Sequence, residues 1–145
     1  MEVYTIGFTK KTAEQFFTLL KNVGVKRLLD VRLHNVSQLA GFAKRDDLAF
    51  FLREMCEAEY LHEPRLAPTQ DMLDAYKKHK AGWEAYRSRF LELMEARRID
   101  ERLDRSLFAG PTVLLCSEAT AQYCHRRLVL EYLLIKWEPF EIVHL

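Results

Sequence analysis

Thr112-Val113-Leu114-Leu115-Cys116-Ser117-Glu118-Ala119-Thr120-Ala121-Gln122-Tyr123-Cys124-His125-Arg126-Arg127 is the stretch on which the reading of the fold turns. Its first five residues are apolar or β-branched with no polar alternation, which suits a strand covered on both faces, as in a parallel sheet flanked by helices. The polar residues begin where that strand should end. Beyond them Leu130, Leu133, Leu134 and Trp137 recur at helical spacing, so the segment reads as strand, polar turn and helix. Arg126 stands one turn upstream on that helical stripe. A cation cannot point into a core cheaply, so its side chain should reach over the carboxyl end of the strand, beside Cys116 and Glu118. Open α/β sheets take their ligands at that edge.

Working outward, Val3-Tyr4-Thr5-Ile6 reads as a first strand ended by Gly7, where the missing Cβ lets backbone or ligand come close. Thr12-x-x-Gln15 is a capping-box signature for a helix that Gly24 should stop. Arg27 to Arg32 reads as a second strand, joined to the first by a crossover, with Asp30 and Arg32 on one side near its end. His34 to Lys44 has no period and reads as a loop. Asp46 or Asp47 is expected to cap a helix bearing Leu48, Phe51, Leu52 and Met55. Tyr60-Leu61-His62 fits a third strand before Pro64 and Pro68. Thr69 should cap a further helix, and Trp83, Tyr86, Phe90 and Leu93 mark a longer one from Gly82 to Arg97. Phe140 to Leu145 closes the chain as a strand. The alternation predicts one Rossmann-like α/β domain over residues 1–145: three α/β/α layers around a mainly parallel sheet of about five strands, with the first and the Thr112 strands adjacent at its centre.

Composition narrows the function. A net charge of +1 over 145 residues gives no global attraction to nucleic acid or anionic membrane, so any basic surface must be local. No apolar run approaches the ~18 residues of a membrane span. Three cysteines, an odd number, without a secretory leader imply free thiols and a cytoplasmic setting. The basic run from Lys77 to Arg105 carries its aromatics at core spacing and reads as a solvated helix rather than a nucleic-acid platform.

Asp30-Val31-Arg32, Tyr60-x-His62, Leu114-Leu115-Cys116-x-Glu118 and Cys124-His125-Arg126, preceded by Tyr4-Thr5-Ile6-Gly7 and followed by Val143-His144, appear in the order and spacing of the domain-of-unknown-function family DUF488, which the chain resembles over almost its whole length. The resemblance implies a small α/β protein and locates the site without implying a reaction. Many members carry His-Ser after the first glycine and Gly-Gly after the His-x-Pro-like segment. Phe8-Thr9 and Ala67-Pro68 stand there in this chain, so the resemblance implies a different substrate if those positions touch it.

The expected site is a crevice at the carboxyl edge. Asp30, His62, Cys116 and Glu118 are the catalytic candidates, as base, acid or thiolate nucleophile. Gly7, Arg32, Cys124, His125 and Arg126 are the candidates for binding an anion, with Arg32 and Arg126 as a clamp. The ligand expected is a small anionic or phosphate-bearing molecule, with nucleotide or nucleic acid among the choices. No cofactor, membrane partner or metal is expected: Cys116, Cys124 and His125 fit no zinc spacing, and no phosphate-binding glycine motif is present. Three readings follow: an enzyme acting on such a substrate, with cysteine chemistry as its variant; a binding module using the same arginines; and a structural protein whose edge is a closed salt-bridge network.

Overall fold

The structure, a computed structural model, describes residues 1–36 and 41–145. The part of the loop reading that covers residues 37–40 lies outside the described residues. Five strands, β1 (Glu2–Gly7), β2 (Arg27–Asp30), β3 (Glu59–His62), β4 (Thr112–Cys116) and β5 (Glu141–His144), form one sheet in the order β3-β2-β4-β1-β5. Every pairing is parallel, and β4 lies at the centre with β1 beside it. The five residues of β4 are all buried, as their unbroken apolar run requires of a strand covered on both faces.

Among the described residues six α-helices flank the sheet: α1 (Ala13–Asn22), α2 (Arg45–Cys56), α3 (Gln70–Lys77), α4 (Trp83–Ala96), α5 (Ile99–Arg102) and α6 (His125–Lys136). On one face Phe16, Phe17 and Leu20 of α1 and Leu48 and Leu52 of α2 pack with Leu28, Val113 and Leu115. On the other Met72, Phe90, Met94, Leu128 and Leu133, from α3, α4 and α6, pack with Leu29, Leu114 and Val3. Successive strand residues alternate between these two cores, so one three-layer domain has two apolar interiors separated by the sheet.

Local signals behave as their chemistry predicts. Thr12 and Gln15 form the reciprocal capping box, Gly24 follows α1 at φ +65°, and Thr69 accepts from the Met72 amide at the start of α3. The start of α2 differs from expectation. Lys44 occupies the cap position and its side chain does not cap the helix, and Asp46 and Asp47 lie inside the first turn, where their charges favour the amide end of the helix dipole.

The topology sets the ligand edge. From β1 the chain passes through α1 to β2, on the far side of β4, and from β4 it passes through α6 to β5, on the far side of β1. The two connections leave these neighbouring strands in opposite directions, which opens a crevice at their carboxyl ends. Register aligns the ends: Gly7 pairs with Cys116, and Asp30 with both Leu115 and His62. Leu114→Ala, at a fully buried central position, should lower unfolding free energy by about 2 to 5 kcal/mol in chemical denaturation, whereas Ile135→Ala on the exposed side of α6 should change little.

Candidate functional site

A crevice of about 780 Å³ opens at this edge. Cys116, at the end of β4, lies on its lining with Cys124 and His125 at the start of α6. Lys10, Lys11, Arg32 and Lys77 also line it, against the carboxylate of Glu118 alone among the described residues. Phe8, Tyr76, Tyr86 and Tyr123 supply apolar wall. The lining thus combines an excess of positive charge with apolar and aromatic surface.

Cys116 is 5 % exposed. Its thiol is held below the ordinary range, first by the hydrogen bond from Cys124 and then by the Ser117 and Glu118 amides and the Arg126 charge, which together outweigh the opposing effect of burial. Cys124 is driven well above that range by burial and by its neighbour. Cys116 is therefore the more acidic thiol of the pair, and Cys124 is the one that donates to it. His125 donates its Nε2–H to the Val31 carbonyl at 2.7 Å. The Cys116 sulfur touches that ring, 3.6 Å from Nδ1 and 3.9 Å from Nε2.

Cys116, Cys124 and His125 are also the residues that could hold a metal, with their ligand atoms within 4.8 Å of one another. The orientation fits poorly. A sulfur sharing an ion with Nδ1 would lie much farther from Nε2 than from Nδ1, since the lone pair points away from the far nitrogen, and here the two distances nearly match.

Asp30 and Arg32 take another role. Leu28 faces the α1/α2 core, and Asp30, two residues on, continues that strand face. Its carboxylate accepts from Arg32 Nε at 2.8 Å and Nη2 at 2.7 Å, from the Arg32 amide at 3.1 Å, and from the Tyr60 hydroxyl at 2.5 Å. Burial, and then the bond to Asp30, raise the Tyr60 pKa. Arg32 also donates to the Ala43 carbonyl and lies over the Phe8 ring, 5.3 Å from its centre, while its buried Nη1 has no hydrogen-bond partner among the described residues. Asp30 is thus fully occupied and does not line the crevice, whereas Arg32 does. His62 donates to the Arg32 carbonyl at 2.8 Å and is likewise outside the lining.

Arg126 is 0 % exposed. It donates through Nε to Thr5 Oγ1 at 3.2 Å and through Nη1 to the Glu118 carbonyl at 2.8 Å. It fixes the loop that carries Glu118 and does not line the crevice, so the two arginines do not make a clamp. Gly7 explains how that loop comes so close: a Cβ there would stand 1.6 Å from the Glu118 carbonyl oxygen. The expected residues therefore divide. Arg32, Cys116, Glu118, Cys124 and His125 gather on the crevice, while Gly7, Asp30, His62 and Arg126 build the framework behind it.

Several lining residues lay outside the sequence reading. Lys11 donates to the Gly7 carbonyl at 2.8 Å, and its pKa is lowered by burial and by Arg126. Its position in the loop after a parallel strand was the available signal. Tyr86 was assigned to the core, and it serves both the core and the crevice wall. Phe8, Thr9 and Pro68, three of the four positions at which the chain departs from its family's usual residues, also line the cavity.

Fold and site together define a small, wholly parallel α/β protein with a thiol and a ring of cations at the sheet edge. Residues 12–133 match the family model described as Domain of unknown function DUF488, and the chain belongs to that family. The match leaves out β1, with Gly7, and β5. Comparison with curated proteins and with solved structures finds no match. No helix among the described residues is long and apolar enough to cross a membrane.

The Asp30–Arg32 pair yields a test. Asp30→Ala strands a buried guanidinium, so it should cost about 3 to 5 kcal/mol of stability, measured by denaturant titration. A stable Asp30→Ala protein would remove the framework role given to this carboxylate.

Proposed function

We propose that this protein is a cysteine-dependent enzyme in which the Cys116 thiolate attacks an anionic substrate held in the crevice. The observation that carries this reading is the position of Cys116: at the end of the central strand, on the crevice lining, with a thiol kept acidic by Cys124 and two backbone amides. A thiolate is the reactive form of cysteine, and a lowered pKa raises its share at neutral pH. The charges favour an anionic substrate, since Lys10, Lys11, Arg32 and Lys77 line the crevice with Glu118 as the one carboxylate among the described residues. The tyrosines on the lining suit a ring, which makes a phosphate-bearing molecule with an aromatic portion, such as a nucleotide, the ligand of choice.

The roles follow from position. Cys116 forms the bond to the electrophilic atom. Arg32 and Lys11 hold the negative charge beside it, and the Ser117 and Glu118 amides that stabilise the thiolate remain directed at the reacting sulfur. Glu118 is half-exposed and paired loosely with Lys77 at 3.5 Å. It is the carboxylate placed to accept a proton from water when a covalent intermediate is hydrolysed. Asp30 and His62, the general acid–base candidates of the sequence, serve this site by positioning Arg32. A cytoplasmic setting is consistent with a chemistry that needs a reduced thiol.

The reading is tested by the pH profile of iodoacetamide alkylation, followed residue by residue by peptide mass spectrometry. Alkylation requires thiolate, so its rate rises with pH as each thiol deprotonates. The midpoint depends on acidity even where access slows the absolute rate. Cys116 should reach half its limiting rate below the ordinary thiol value of about 8.5, with Cys124 well above it, and inorganic phosphate should slow alkylation of Cys116. A Cys116 midpoint at or above the ordinary value would leave a binding module that uses the same cations without a nucleophile.

A further inference from the structure

The two cysteines of the crevice constitute a pair, and the thiolate reading uses only one of them. Their sulfurs lie, with the His125 nitrogen, within 4.8 Å of one another, and both side chains line the same cavity. Between them runs the segment from Ser117 to Tyr123, which forms neither helix nor strand. Cys124 is the cap residue of α6, with extended backbone angles of φ −133° and ψ 138°. A disulfide needs the sulfurs at about 2.05 Å, an approach that a rotamer change with a small shift of an irregular segment can supply. Cys56 is a free thiol on α2, away from the crevice.

We infer that Cys116 is a site of two-electron oxidation by hydroperoxides and that Cys124 is its resolving thiol, the two closing into a reversible disulfide. The inference rests on the reading of Cys116 as the crevice nucleophile. In the first step the Cys116 thiolate attacks the hydroxyl oxygen of the peroxide. A sulfur–oxygen bond forms, the oxygen–oxygen bond breaks, and the departing alkoxide or hydroxide takes a proton from water, leaving a sulfenic acid. In the second step the Cys124 thiol gives up its proton and its sulfur attacks that of Cys116. The sulfur–oxygen bond breaks, and the leaving hydroxide combines with a proton to form water. The cysteine sulfurs lose two electrons in all and the peroxide gains them. An external dithiol reverses the second product by exchange, itself becoming a disulfide.

The geometry also gives the bond a consequence. The bridged segment carries the Glu118 carbonyl, which accepts from Arg126 and lies over Gly7. Closing the disulfide consumes the thiolate and strains this support, so oxidation switches the site off while protecting the sulfur from irreversible over-oxidation.

The test treats the reduced full-length protein with stoichiometric hydrogen peroxide, blocks remaining thiols with N-ethylmaleimide, and maps peptides by mass spectrometry. Two of the three free thiols should be lost together, with a Cys116–Cys124 linked peptide that dithiothreitol dissolves and Cys56 still alkylated. In Cys124→Ser, dimedone should instead capture a sulfenic acid on Cys116, and longer exposure should drive it to sulfinic acid. Wild-type protein that accumulates sulfinic acid on Cys116 while Cys124 stays alkylatable, or that oxidises first at Cys56, would overturn the inference. The wild-type map needs no variant to fold. Low-pH alkylation of Cys116 without disulfide formation would overturn only this inference, whereas a Cys116 that titrates as an ordinary thiol would remove the nucleophile reading with it.

Discussion

A guanidinium with no exposure to solvent holds the functional edge together. Arg126 sits at the second position of α6, between the sheet and the loop that leaves β4, and donates to Thr5 in β1 and to the Glu118 carbonyl. A buried charge is costly unless its donors are used, so these bonds decide where α6 begins and how the loop folds. Thr5 extends the arrangement. Its hydroxyl oxygen accepts from Arg126, so its own proton is free for His144 Nδ1, 2.6 Å away. The His144 pKa is lowered by burial and then by the charges of Arg126 and Arg127. Gly7 is part of the same constraint, because any side chain there would collide with the carbonyl that Arg126 holds.

From this support the chemistry follows by position. With the loop fixed, the Ser117 and Glu118 amides and the Arg126 charge act on the Cys116 sulfur, and Cys124 donates to it. On the opposite face of the sheet a second buried cation, Arg32, is held by Asp30, Tyr60 and the Ala43 carbonyl. Asp30 is thereby fully engaged behind the crevice, and Arg32 lines the crevice with one buried nitrogen that has no partner among the described residues. The two arginines differ in place: Arg126 holds the loop beside Cys116 without lining the crevice, and Arg32 lies on the crevice lining.

The sequence disclosed which residues reach the carboxyl edge and little of where they point. The five apolar or β-branched residues that end at Cys116 and the strand–helix alternation were enough to place β4 beside β1, because burial on both faces leaves a readable pattern. Register then carried Gly7, Asp30, His62 and Cys116 to one edge. The direction of each side chain depends on partners remote in the chain. Arg126 answers to Thr5, 121 positions away, and His125 to the Val31 carbonyl, 94 positions away, and no local period encodes such pairs. Lys10 and Lys11 were missed for a related reason, since the turn after β1 has no periodicity to mark which of its residues face inward. Tyr86 was hidden by its own regularity: its helical spacing identified a core residue, and nothing local showed that the core ends at a crevice wall.

The most direct measurement is a crystal structure of the reduced protein soaked with inorganic phosphate or vanadate. The account predicts the anion in the crevice between Arg32, Lys11 and the Cys116 sulfur, with Asp30 still bound to Arg32 and Arg126 still on the Glu118 carbonyl. An anion bound only on the outer surface, with the crevice unoccupied and Cys116 shielded from it, would contradict the account.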